Sequence, residues 1–132
     1  TVGPIGREWD FAYTAWLNAQ LHDDDVAARA GLPEPAVRAR RLRLICDGYG
    51  LCVGDRIGLV DRMVELAVRT SAQEAIDAGV TPLGATGGDF DSQGGGQPFT
   101  GEELQWAITW RVRSARWMLH HRSALEHALK KP

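Results

Sequence analysis

The sequence predicts an all-α protein, and three observations carry that prediction. Apolar residues recur at three- and four-residue spacing over most of the chain, no alternating apolar and polar stretch of useful length occurs, and prolines and glycines mark where the periodic segments stop. A length of 132 residues suits one domain, so the reading is a single helical domain over 1–132.

The first helix is predicted over Arg7–Leu21, where Trp9, Ala12, Tyr13, Trp16, Leu17 and Gln20 share one face. Asp23, Asp24 and Asp25 then stand where an N-cap and first turn belong, because carboxylates there accept unpaired backbone N–H groups and oppose the positive end of the helix dipole. A short helix ends near Gly31. Pro35 suits the first turn of a third helix, stopped by Gly48 and Gly50. From Asp55 a long fourth helix carries Ile57, Val60, Met63 or Val64, Ala67, Val68 and Ala75 on one stripe and ends at Gly79. Residues 80–99 hold six glycines from Gly84 to Gly96 and read as a mobile loop. The helix restarts at Thr100, whose spacing to Glu103 is that of a capping box, and runs to about Leu129.

Composition narrows the function classes. Fifteen Lys and Arg against seventeen Asp and Glu give a net charge of −2, which argues against a general polyanion binder. No apolar run approaches the roughly 20 residues of a membrane span. Cys46 and Cys52, six apart, match neither a redox pair nor a zinc site, so a reducing, cytoplasmic setting is expected. The chain begins Thr1-Val2-Gly3-Pro4, without initiator methionine or signal core, and reads as part of something longer.

Few constellations carry chemistry. Trp106, Trp110 and Trp117 fall within about 40° on a helix, with Arg113 in the same arc; this is a buried seam, or a stripe that stacks a ring or brackets the guanidinium. His120 and His121 diverge by about 100° and do not grip one metal ion, and His127 lacks the i, i+4 spacing of a zinc pair, so no metal site is expected. The loop GATGGDFDSQGGG lacks the lysine of a phosphate cradle, and its Asp89 and Asp91 are a weak calcium signal. His22-Asp23-Asp24 supplies a carboxylate for general-base work, although Asp24 also suits a cap. No nucleophile and base pair emerges, and no catalytic residue is assigned.

Residues 24–43 offer an alternative. Ala27, Gly31 and Val37 have helix-turn-helix spacing, and Arg38, Arg40, Arg41 and Arg43 follow, so Arg38, Arg40 and Arg41 would contact nucleic acid.

A family resemblance covers nearly the whole chain. Gly6–Trp16 (GREWDFAYTAW), Arg41–Leu51 (RLRLICDGYGL) and Trp117–Leu129 (WMLHHRSALEHAL) resemble, in order, segments of aminoglycoside phosphotransferase-like proteins, which share the choline kinase fold. The resemblance implies the C-terminal half of a kinase-like C-lobe. Asp10 would brace the catalytic loop, with Trp9 and Trp16 packed behind it, and Asp23, Asp24 and Asp25 would attract a cationic small-molecule acceptor such as an aminoglycoside. ATP and magnesium would serve a complete family member. The nucleotide cradle, the phosphate-pairing lysine and the metal-binding aspartate would all precede Thr1, and Arg29 stands where the family has Asn, so no autonomous kinase activity is expected. The implied partner is the missing N-terminal portion or a second copy covering the exposed face.

Overall fold

A computed structural model describes residues 4–81, 84–85 and 101–131, and these are mostly helical. Helix α1 spans Pro4–Ala19, opening on a proline suited to the first turn, and buries Ala12, Ala15, Trp16 and Ala19 on one stripe. Three alanines on that stripe let neighbouring helices approach closely around a fully buried Trp16, whose Nε1 donates to the Leu21 carbonyl at 3.1 Å. The helix ends where Gln20 takes the left-handed conformation, φ 58°.

Helix α2, Asp24–Ala30, is capped by Asp23, whose Oδ1 accepts from the Val26 amide at 3.0 Å. Gly31 stops it at φ 66°, a backbone conformation costly for any residue with a Cβ, and the Leu32 amide returns to the Ala27 carbonyl. Helix α3, Pro35–Gly48, buries Arg38, Ala39, Leu42 and Cys46.

The fourth predicted helix starts later than its periodicity suggests. Val53–Arg56 forms a separate 3-10 turn, and α4 runs Leu59–Asp77 from Gly58 at φ 82°. The cause is Arg56, which is buried and donates to Leu51 O, Asp47 Oδ1, Leu129 O and Lys131 O, so the turn belongs to the seam joining α3 to the end of the chain. Within the predicted loop, Val80–Thr81 (β1) pairs antiparallel with Gly84–Ala85 (β2). The remaining glycines, Asp89, Asp91 and the Thr100 cap lie outside the described residues.

The last predicted helix is two. Helix α5 spans Gly101–His120 and α6 spans Arg122–Leu129, with His121 between them at φ −98°, ψ 15°. The change of direction lays Leu125 and Leu129 against α3. One core draws on α1, α3, α4, α5 and α6, with α4 and α5 making the broadest helix contact. No helix among the described residues is long and apolar enough to cross a membrane.

Candidate functional site

The α1–α2 turn is held from behind by one arginine. Arg38, 1% exposed, donates through Nη1 to the carbonyls of Gln20 (3.1 Å) and His22 (2.9 Å) and through Nε to that of Pro33 (2.9 Å). Its guanidinium lies 4.4 Å from the centre of the Trp117 ring, so the buried charge meets carbonyl dipoles and an aromatic face instead of water. This overturns the helix-turn-helix alternative, which needs Arg38 on an open recognition helix. Arg40 and Arg41 are exposed, and Arg41 donates to the Gln20 side chain at 2.9 Å.

From that anchor the three aspartates reach α5, each differently. Asp23, buried, caps α2 with one oxygen and accepts from Arg113 Nε with the other. Asp24, the residue expected to cap, instead accepts from Trp117 Nε1 at 3.1 Å. Asp25 is exposed and pairs with Arg113 Nη1 at 3.0 Å. Arg113 therefore clamps the front of α2, while the cations over rings of the tryptophan stripe are Arg38 on Trp117 and Arg111 on Trp110.

Two clefts flank this clamp. One, about 270 Å³, is lined by Asp23, Asp24, Arg113, Arg116, Trp117, His120 and His121. The other, about 350 Å³, lies between α2 and α5, with Asp25, Val26, Arg29, Ala30, Trp106, Thr109 and Trp110 around Arg113. The tryptophan stripe divides: Trp117 is buried, Trp110 stacks on Trp16 at 5.2 Å, and Trp106 is 59% exposed at the rim of the second cleft. Seam and exposed aromatic are thus successive parts of one stripe.

The His121 ring lies 4.2 Å from Trp117, its neighbour one helical turn back, and 5.0 Å from His120. Burial, helped by His120 and Arg38, holds His121 below the ordinary histidine pKa against the opposing pull of Asp24. His22 is lowered likewise by burial and by Arg38, against Asp23. Its Nδ1 is buried without a hydrogen-bond partner, and its ring packs edge-on against Trp110. Among the described residues no three His, Cys, Asp or Glu gather as a metal site. Trp9 and Asp10 lie elsewhere on α1: Trp9 sits under Arg69 at 5.2 Å and Asp10 is exposed.

The sequence reading missed Arg116, His120 and His121 as neighbours of the aspartates. Arg113, Arg116, Trp117 and His120 do stand at i, i+3, i+4 and i+7, one helix face, so the signal was present.

Comparison with known proteins corrects the family assignment. The chain is 44% identical over 128 residues, 97% of its length, to the trifolitoxin immunity protein of Rhizobium leguminosarum bv. trifolii, and it spans 43% of that curated relative. The similarity is to an immunity protein and not to an aminoglycoside phosphotransferase-like protein, which overturns that resemblance together with the transferase and kinase-lobe readings built on it. The expectations of ATP and magnesium came with that resemblance and have no other support. No protein-family profile and no solved structure matches the chain.

Proposed function

We propose that this chain acts in immunity to a toxin and that its α2–α5 face is the part that meets the toxin. The observation that carries the reading is identity at 44% along 97% of the chain with a trifolitoxin immunity protein. The face supports it chemically. It offers an exposed indole, an apolar groove over Val26 and Ala30, and an exposed carboxylate at Asp25 that suits a cationic group on the toxin. Asp23 serves the fold instead, because both its oxygens are engaged within the protein.

The test is protection. The full-length protein, expressed in a strain sensitive to trifolitoxin, should allow growth at toxin concentrations that stop the strain carrying an empty vector. Equal sensitivity of the two strains, with the protein shown to accumulate, would overturn the reading.

A further inference from the structure

The smaller cleft holds more hydrogen-bond donors than the fold uses. Arg116 is exposed and makes no hydrogen bond or ion pair among the described residues, and His120 is exposed beside the His121 ring. Arg113 spends Nε and Nη1 on Asp23 and Asp25, leaving Nη2 outside its two ion pairs. Of the two carboxylates in the wall, Asp23 is paired with Arg113, while Asp24 keeps its charge and accepts from the neutral Trp117 indole. The result is a cluster of donors from three successive turns at the end of α5, gathered around a cleft of about 270 Å³.

We infer that this cleft is an oxyanion-binding site, taking a carboxylate or phosphate group between Arg116, His120 and His121, with Arg113 at its edge. A guanidinium presents paired N–H donors that match two oxygens of such a group, and two imidazoles add a donor each when protonated. His121 stays in helical register, its amide bonded to the Trp117 carbonyl at 3.0 Å, which sets its ring over Trp117 and beside the His120 ring. Asp24 opposes the anion and lowers its affinity, which is why its removal is part of the test. The groups facing His121 are Asp24 from α2, Arg38 from α3, and Trp117 and His120 from α5. Partial burial, His120 and Arg38 hold His121 below the ordinary histidine pKa, and an anion in the cleft favours its protonated form, so affinity rises as pH falls. This inference stands apart from the immunity reading, because it is measured without toxin.

The experiment is titration of the full-length protein with sodium phosphate and, separately, sodium acetate, at constant ionic strength set with chloride, following the histidine ring resonances by NMR. Saturable shifts at His120 and His121, with His127 unmoved, are expected. Arg116→Gln should weaken binding by about tenfold, the effect of losing one charge-assisted contact. Asp24→Asn keeps an acceptor for Trp117 and should tighten binding by roughly threefold. A stronger response to phosphate assigns the cleft to phosphate esters, and a stronger response to acetate assigns it to carboxylates. No saturable shift with either anion, or an Arg116→Gln protein that binds as well as the parent, would overturn the inference.

Discussion

At the scale of the residue, Arg38 decides the most. A buried cation is tolerated only where its donors are satisfied, and here three carbonyls and an indole face satisfy them. Replacing it with methionine keeps bulk but frees those carbonyls, and the expected loss is about 3 kcal/mol of folding stability in urea unfolding. A loss below about 1 kcal/mol would show that the arginine is not the anchor of the α1–α2 turn. Two half-buried histidines give a second residue-level prediction. Both His22 and His121 have folded pKa values below the ordinary 6.5, so the unfolded chain binds protons first as pH falls. Stability is therefore greatest above the unfolded pKa and declines as pH drops through it toward the lowered folded values. Unfolding midpoints measured between neutral and mildly acidic pH should fall toward acid, and His22→Gln should flatten the decline; a profile unchanged by that substitution would count against the account.

At the scale of the element, termini explain both what sequence shows and what it hides. Gly31 fixes the end of α2 through a left-handed φ of 66°, and Gly31→Ala should cost about 1 kcal/mol in thermal unfolding, with no change marking the cap as dispensable. That end, the Asp23–Asp25 start and the Pro35 start were legible because each rests on local backbone chemistry. The start of α4 and the break at His121 were not, because each answers to a distant partner: Arg56 reaching Leu129 and Lys131, and Leu125 with Leu129 settling on α3. The candidate site shows the same division. The aspartates were visible as a charge run, but their pairing with Arg113 and Trp117, 88 and 93 residues away for the hydrogen-bonded pairs, needs the fold. Arg38 misled for the same reason, since an arginine-rich helix reads as exposed until its carbonyl partners are known.

At the scale of the whole molecule, the chain joins two kinds of surface through one clamp. The Asp23–Arg113–Asp25 cluster separates a polar cleft near the end of α5 from an apolar groove under Trp106. The Asp25–Arg113 pair is exposed on both sides and stabilises the fold by at most about 1 kcal/mol, so this face can be altered without unfolding the protein. That separation makes the central claim accessible to one comparison. The full-length protein and its Trp106→Ala, Asp25→Asn double variant, matched for abundance and thermal midpoint, should be compared for the trifolitoxin concentration that halves growth of a sensitive host. The α2–α5 account predicts that the parent protects and that the variant loses at least about tenfold of that protection, the scale of an interface anchor. A double variant that protects as fully as the parent would contradict it.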